Sequence, residues 1–291
     1  MGIGAEVRRT AWVLSLALIN LHRWPQLGAL TRTGAPCVAL ARYMCLCVCF
    51  YVCLGLVACA PMPRVADNTQ DQRSALRLAL ATGYFEQAQY AVALEEVNLA
   101  LAASPHSVDA LNLRGLTLMR LQQADAARES FARALRLQPR HPDTLHNLGA
   151  WHCEQGHYAL ADRDFELALA SGTPRAARTW TARGLCQVLA NQPAAALRSL
   201  LQAQALQPGQ PLVTYNLGWI LYRQGEFGRA QSYTRSLNNS PQANAESLWL
   251  GVRIERALGQ TQTMNQLADQ LKKRYPLSME LHAFERGAFD D

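Results

Sequence analysis

The feature that most constrains this chain is a period of about 34 residues between small side chains. These small residues follow one another in steps of 34, 34, 35, 34 and 33. They are Ala81, Gly115, Gly149, Gly184, Gly218 and Gly251. A second small residue comes 12 positions after each of the first five, at Ala93, Ala127, Ala161, Ala196 and Ala230. Such a period indicates a stack of units that bury their apolar faces only against their neighbours.

Further alanines and prolines keep fixed offsets from these positions. An alanine comes seven residues after the second marker in four repeats, at Ala100, Ala134, Ala168 and Ala203. A proline follows five residues later in three of them, at Pro105, Pro139 and Pro208. This is the pattern of the tetratricopeptide repeat, a helical hairpin whose small residues let its two helices approach closely.

The repeats predict an all-α fold, a right-handed superhelix of about six tetratricopeptide repeats over residues 73–289. Five repeats follow the pattern well, and a degenerate sixth over 245–275 is expected to act as a cap. Gly156 and Gly225 are expected to close first helices in the left-handed conformation, which glycine adopts without a steric penalty.

The N-terminal region has the pattern of an export signal. Residues 43–58 are 16 apolar or small residues without a charge, preceded by Arg42 and ending just before Cys59. As a helix this stretch spans about 24 Å, which is short for a membrane span and typical of a signal core. Its end, LVAC, resembles the bacterial lipobox, in which the cysteine is acylated after cleavage. Cys59 is therefore the predicted lipidation site.

This signal divides the chain into three parts. We predict a leader over 1–58, a lipidated tether over 59–72 and the solenoid after it. A second apolar stretch at 12–21 is too short to span a membrane, so residues 1–40 are either a start-site extension or an extended n-region. Ala60, which follows the cysteine, resembles the signals that direct lipoproteins to the outer membrane.

The charge distribution argues against a nucleic-acid partner. The formal net charge is +6, but five of the 28 basic and one of the 22 acidic residues lie within 1–58. The remaining 23 basic and 21 acidic residues are nearly balanced. Binding driven by counterion release needs a concentrated basic surface, which this composition does not indicate.

No motif of the sequence indicates catalysis. The chain has no G-x-S-x-G, P-loop, H-E-x-x-H or nucleotide-binding glycine motif. Four histidines near Cys153 lack the i, i+4 spacing that puts two ligands on one helical face. They are His141, His146, His152 and His157. We predict a protein that is not an enzyme and has no cofactor, metal site or small-molecule substrate.

The first helices of the repeats are expected to line the concave face. We expect the positions at −6, −3, +1, +4 and +5 from the small residue of each repeat to face inward. At these inward offsets the sequence places apolar and aromatic side chains beside two arginines, a combination typical of protein interfaces. This partner-binding groove consists of Leu116, Met119, Arg120, Leu185, Val188, Tyr215, Trp219, Tyr222 and Arg223. The alternative is that several of these side chains pack between the repeats.

Two cysteines fall on neighbouring first helices. Cys153 and Cys186 follow their repeat glycines by four and two residues, so their sulfurs are expected to lie close together. An exported protein meets an oxidising compartment, where such a pair forms a disulfide. The alternative is a pair of buried free thiols.

Several stretches outside the repeat consensus resemble the type IV pilus biogenesis/stability lipoproteins, the PilF/PilW or Tgl group. They include YRQGEF (222–227), SLWLGVRIERALG (247–259) and LKKRYPLSMELHAFERG (271–287). The last two are not generic repeat features, and the likeness extends over residues 72–289. Trp151 and His152 stand where the family tends to have aromatic or aliphatic residues, which alters the groove slightly.

The resemblance implies an outer-membrane lipoprotein on the periplasmic face. Such lipoproteins are anchored to the lipid by acyl chains on their cysteine. They help the type IV pilus secretin subunit reach the membrane and assist the multimerisation of the secretin. The alternative within the same class is a general scaffold lipoprotein that recruits envelope or cell-wall enzymes.

Overall fold

The computed structural model describes residues 65–289, which form thirteen helices and no strand. The first six helices are α1 (Val65–Glu86), α2 (Tyr90–Ala103), α3 (Val108–Arg120), α4 (Ala124–Leu137), α5 (Pro142–Glu154) and α6 (Tyr158–Ala170). The next six are α7 (Ala176–Leu189), α8 (Pro193–Leu206), α9 (Pro211–Arg223), α10 (Phe227–Asn238), α11 (Ala245–Ala257) and α12 (Thr261–Arg274). A short helix, α13 (Met279–Glu285), follows them.

The first twelve helices form six helical hairpins. Each first helix packs against the second helix of its own hairpin, and α1, α3, α5 and α7 also contact one another in sequence, as do α9 and α11. The predicted all-α repeat fold is confirmed, while the right-handed sense of the superhelix stays a prediction. The sixth repeat, for which the sequence predicts a capping role, forms a complete helical hairpin. The segment that covers the end of the stack follows this hairpin in the chain.

That end is covered by α13. Leu281 of this helix is 4% exposed and packs with Leu248 and Val252 of α11 and with Leu267 and Leu271 of α12. Ser278 caps the helix, since its hydroxyl accepts a hydrogen bond from the backbone N–H of Leu281.

The repeat glycines make the close contact between the helices of each hairpin possible. A Cβ at Gly115 would lie 2.7 Å from Cδ1 of Phe131, and one at Gly184 would lie 2.7 Å from Cγ of Leu200. Phe131 and Leu200 are fully buried, so neither side chain has room to move away. The small residue recurs about every 34 positions because this close contact between two helices recurs once in each repeat.

The turns inside the hairpins confirm the predicted conformation of Gly156 and Gly225. Their φ angles are +74° and +76°. At the equivalent turns of three other repeats the left-handed residue is Ala88, Gln122 or Asn191, with φ of +58°, +59° and +55°. A side chain with a Cβ is strained in this region, and alanine and glutamine more so than asparagine.

Replacing Gln122 with glycine is expected to raise the free energy of unfolding by up to about 1 kcal/mol, because the strain outweighs the extra freedom of glycine in the unfolded chain. Urea denaturation measures the change. Gly156→Ala is the matched control and is expected to lose about 1 kcal/mol, since a Cβ there meets open space and only the backbone conformation matters. A change in the free energy of unfolding of the same sign and size for Gln122→Gly and Gly156→Ala would contradict the strain argument.

Helix α1 begins at Val65, earlier than the predicted start of the solenoid at residue 73. The reason is local, because no proline or glycine interrupts the chain between Pro63 and Gly83. The early turns are also tied to the next helix, since Ser104 donates a hydrogen bond of 2.9 Å to Asp71. The later half of the expected tether is thus helical.

The leader 1–58 and the lipidation site predicted at Cys59 lie outside the described residues. Within residues 65–289, no helix is long and apolar enough to cross a membrane.

Candidate functional site

The nine residues of the predicted groove all retain exposed surface. Arg120 and Arg223 are exposed, and the seven apolar or aromatic side chains are partly buried. All of the seven except Leu185 pack against one or more of three core clusters. These side chains therefore contribute to packing between repeats and also present surface, and their role in binding a partner stays a prediction.

An aromatic patch lies on repeat five. We define it as Tyr215, Trp219 and Tyr222 of α9, which all pack against the cluster that contains Leu250 and Ile254 of α11. Trp219 also contacts the cluster between α8 and α9, together with Val188. The three rings are fixed by these contacts from one side, which lets the other side meet a partner without losing side-chain freedom.

Two guanidinium groups stand over the aromatic patch. The guanidinium carbon of Arg223 lies 5.7 Å from the ring centroid of Trp219, and that of Arg253 lies 5.0 Å from the ring of Tyr222. Burial raises the pKa of Tyr215, and the nearby carboxylate of Glu246 acts in the same direction. The patch therefore combines aromatic rings with positive charge, which suits a partner segment that carries apolar and acidic side chains.

A second apolar surface lies on repeat two and is separate from the aromatic patch. Leu116 and Met119 pack against a cluster that contains Phe131 and Trp151. No core cluster of residues 65–289 includes residues of both surfaces. The groove residues of repeats two and five therefore pack into different parts of the core.

A cleft of about 370 Å³ contains the remaining predicted apolar residue, Leu185. His146, Arg178, Thr181 and Ala182 line it on the first helices. Gln207 and Gln210, from the connection between α8 and α9, complete the lining. Arg178 is the one arginine among these lining residues, and no acidic side chain of the described residues lines the cleft, so it would hold a neutral or acidic segment.

His146 is neutral at physiological pH. Its Nδ1 lies 3.0 Å from the hydroxyl of Thr179, and the side chain is largely buried. Burial lowers its pKa from 6.5 to about 4, and the positive charge of Arg178 acts in the same direction. Arg178 therefore supplies the charge of the cleft.

This shift predicts a pH dependence of stability. Between pH 6.5 and about 4 the unfolded chain binds a proton at His146 that the folded chain does not bind. Acidification through this window therefore lowers the free energy of unfolding, by at most about 3 kcal/mol. Above pH 6.5 this contribution is constant. Thermal unfolding across the window should show the loss, and His146→Gln should reduce it; an unchanged slope in the variant would contradict the assignment.

The structure pairs Cys153 of α5 with Cys186 of α7 in a disulfide, with 5.8 Å between their Cα atoms. Both lie beside Ala161 and Phe165 in the core between repeats three and four. The bond therefore joins two first helices that form adjacent parts of the concave face.

The histidines near this bond have structural roles. His141 caps α5, accepting from the backbone N–H of Thr144 at 3.3 Å, and His152 bonds Asp164 at 2.7 Å. Among residues 65–289 no group of three or more histidine, cysteine, aspartate or glutamate side chains is placed to hold a metal ion.

Sequence reasoning missed the aromatic and arginine contacts of repeat six. Arg253, beside Tyr222, has an Nε that is buried without a hydrogen-bond partner among the described residues. Trp249 stacks on Phe289 at 5.3 Å between ring centroids, and the guanidinium of Arg256 lies 4.0 Å from the same phenyl ring. The only available signal was the unusual composition of 247–259.

Comparison with known proteins gives concordant matches. Two profiles described as tetratricopeptide repeat match the chain, one at residues 78–142 and 190–244 and the other at 143–172, together just over half of its length. The type IV pilus assembly protein PilF of Pseudomonas aeruginosa is 26% identical over 241 residues, which is 81% of this chain and 96% of PilF.

Two solved structures are similar in fold and sequence. The structure of Pseudomonas aeruginosa PilF has a TM-score of 0.68 and 25% identity, over 75% of this chain and 99% of PilF. The structure of PilW, described as a widely conserved type IV pilus biogenesis factor, has a TM-score of 0.65 and 28% identity, over 72% of this chain and 97% of PilW.

Proposed function

The chain belongs to the tetratricopeptide-repeat proteins, in the group of PilF and PilW, and from that premise we propose that it assists type IV pilus biogenesis by binding the secretin subunit at the outer membrane. It acts as a lipoprotein that brings this subunit to the membrane and promotes its multimerisation. The similarity to PilF over almost the whole length of that protein is the observation that carries the proposal.

The binding surface in this proposal is the concave face of repeats four and five. Its aromatic patch offers rings already held in place by the core, with Arg223 and Arg253 beside them. Aromatic and arginine side chains provide most of the binding energy in protein interfaces. A segment of the secretin subunit with apolar and acidic residues is the complementary ligand.

Lipid attachment at Cys59 supplies the second half of the mechanism. Several acyl chains anchor a protein stably without a spanning helix. An anchored groove that holds one secretin subunit raises the local concentration of subunits at the membrane, because each bound subunit is confined to the surface. Multimerisation then proceeds without a covalent step and without catalysis by this chain.

The test is the amount of SDS-resistant secretin multimers in outer-membrane fractions. Cells that lack this protein should lose the multimers, and the wild-type copy should restore them while Cys59→Ala does not. Normal multimers in its absence would overturn the proposal and favour a scaffold for another envelope complex.

Replacing Trp219 or Tyr222 with alanine is expected to weaken secretin binding about tenfold or more, because each change removes an aromatic anchor. Binding of purified secretin subunits, measured by calorimetry, gives the effect. Arg223→Glu is expected to weaken binding without disturbing the core, since this side chain is exposed.

Leu160→Ala is the matched control for these variants. It removes a side chain that is 47% exposed on the second helix α6, away from the concave face. Secretin affinity should be unchanged in this control. Wild-type affinity in all three concave-face variants would place the binding surface elsewhere.

A further inference from the structure

A polar cavity of about 360 Å³ lies between the second helices α10 and α12, with α11 at its floor. Ten side chains or backbone segments line it: Thr234, Arg235, Asn238, Asn239, Gly251, Glu255, Thr263, Gln266, Leu267 and Gln270. None of the residues of the predicted groove is among them. The cavity is therefore a separate feature, and its role does not depend on the proposed secretin site.

The cavity follows from a change in the repeat pattern. The residue eight positions after the second alanine marker is Leu101, Leu135 and Leu169 in the first three repeats. In repeats four and five the same position is Gln204 and Asn238. Four positions after the marker, Phe131, Phe165 and Leu200 give way to Thr234 in repeat five. Smaller and polar side chains thus stand where the earlier repeats have bulky apolar ones.

The amide of Asn238 is buried and unpaired. The residue is 3% exposed, and neither its Oδ1 nor its Nδ2 has a hydrogen-bond partner among residues 65–289. Its Nδ2 lies over Gly251, 2.4 Å from where a Cβ on this glycine would be. Two unpaired polar atoms at a buried position destabilise the fold by a few kcal/mol, so this asparagine is poorly explained by packing alone.

The charged groups of the cavity are already neutralised. Glu255 is 1% exposed, and its carboxylate accepts hydrogen bonds from Arg235 Nε at 3.1 Å and from Gln231 Nε2 at 2.8 Å. A second acceptor, Oε1 of Gln260, takes a hydrogen bond of 2.8 Å from the same arginine. An anionic ligand would meet the buried carboxylate of Glu255, and a cationic one would find no free charge here. The cavity is therefore suited to a neutral ligand.

We infer that this cavity binds the main chain of an extended, uncharged peptide segment with small side chains. The amide of Asn238 both donates and accepts, so a rotation of this side chain toward the cavity would let it pair with the C=O and N–H of one ligand residue, as a neighbouring strand would. Asn239, Gln266 and Gln270 add further amides at the rim. No aromatic residue lines the cavity, whereas an aromatic surface would be expected for stacking on a sugar ring.

The size of the cavity fits this ligand. A volume of 360 Å³ corresponds to a space roughly 7 Å across, which accommodates about two residues of extended chain. Gly251 and Leu267 form the apolar part of the lining, which leaves room for glycine, alanine or serine and not for bulky side chains.

The experiment is an NMR titration of the full chain with the capped tripeptide acetyl-Ser-Gly-Ser-amide. We expect the side-chain amide resonance of Asn238 and the backbone resonances of Asn239 and Gly251 to move in a saturable way, with millimolar affinity. Asn238→Leu, which restores the residue of the earlier repeats, should weaken binding about tenfold or more while leaving the unfolding temperature no lower.

Gln204→Leu is the matched control, because it makes the same kind of change at the equivalent position of repeat four, outside the cavity. It should leave the titration unchanged. Gln270→Ala, at the rim, should weaken binding and provides a second variant if Asn238→Leu does not fold. Resonances that do not move with the peptide would overturn the inference. The inference would also be overturned if these resonances moved with maltose and not with the peptide, or if Asn238→Leu bound the peptide as tightly as the wild type.

Discussion

Phe131→Ala is expected to lower the free energy of unfolding by about 3–5 kcal/mol, the largest effect of any single substitution considered for this chain. The phenyl ring is fully buried and lies directly over Gly115 on the facing helix. It also packs with Leu118 and Trp151, so its removal opens a cavity that these fixed neighbours fill poorly. Urea denaturation followed by circular dichroism measures the loss.

Leu137→Ala is the control on the same helix. Leu137 is 39% exposed, so its truncation removes less buried surface than the loss of the fully buried Phe131, and a loss of only about 1 kcal/mol is expected. Equal losses in the two variants would show that the ring over Gly115 has no special importance.

The contact between Gly115 and Phe131 also predicts a reversal of sign. In the wild-type protein, Gly115→Ala should destabilise the fold by about 1–3 kcal/mol, because the new Cβ overlaps the phenyl ring. In the Phe131→Ala background the ring is gone, and the same change should stabilise the helix by up to about 1 kcal/mol. Destabilisation of equal size in both backgrounds would contradict the packing argument.

Features that recur every 34 residues could be predicted from the sequence. The hairpins, the glycine contacts and the turns at Gly156 and Gly225 are all set by neighbours that repeat with the same period. A repeated contact leaves a repeated signal, so five or six copies of a weak preference together define the fold.

Features confined to one repeat could not be predicted in this way. The early start of α1, the stacking of Phe289 on Trp249 and the cavity beside Asn238 each depend on residues that occur once. The same limit applies to the groove. Inward offsets identified which side chains retain surface, but the core cluster that Leu116 or Tyr215 packs against depends on how each helix packs on its own neighbours.

Reduction of the Cys153–Cys186 bond is expected to lower the free energy of unfolding by about 3–4 kcal/mol. The two cysteines are 33 residues apart, and a bond across that length restricts the unfolded chain considerably. The bond also joins the first helices of repeats three and four, whose own stability is low without stacked neighbours. Denaturation with and without dithiothreitol measures the difference.

The loss on reduction should be local. In a repeat array each unit contacts only its neighbours, so hydrogen exchange should increase in α5 and α7 and change little in α11 and α12. The double variant Cys153→Ala, Cys186→Ala should unfold at the same urea concentration with or without dithiothreitol, which controls for other effects of the reductant. Two free thiols in the unreduced protein, or equal midpoints for the wild type in both conditions, would show that the pair is not bonded in solution. If the bond is present and its effect is local, redox conditions change the stability of one part of the concave face. That part is the junction of repeats three and four, beside the cleft that contains Leu185.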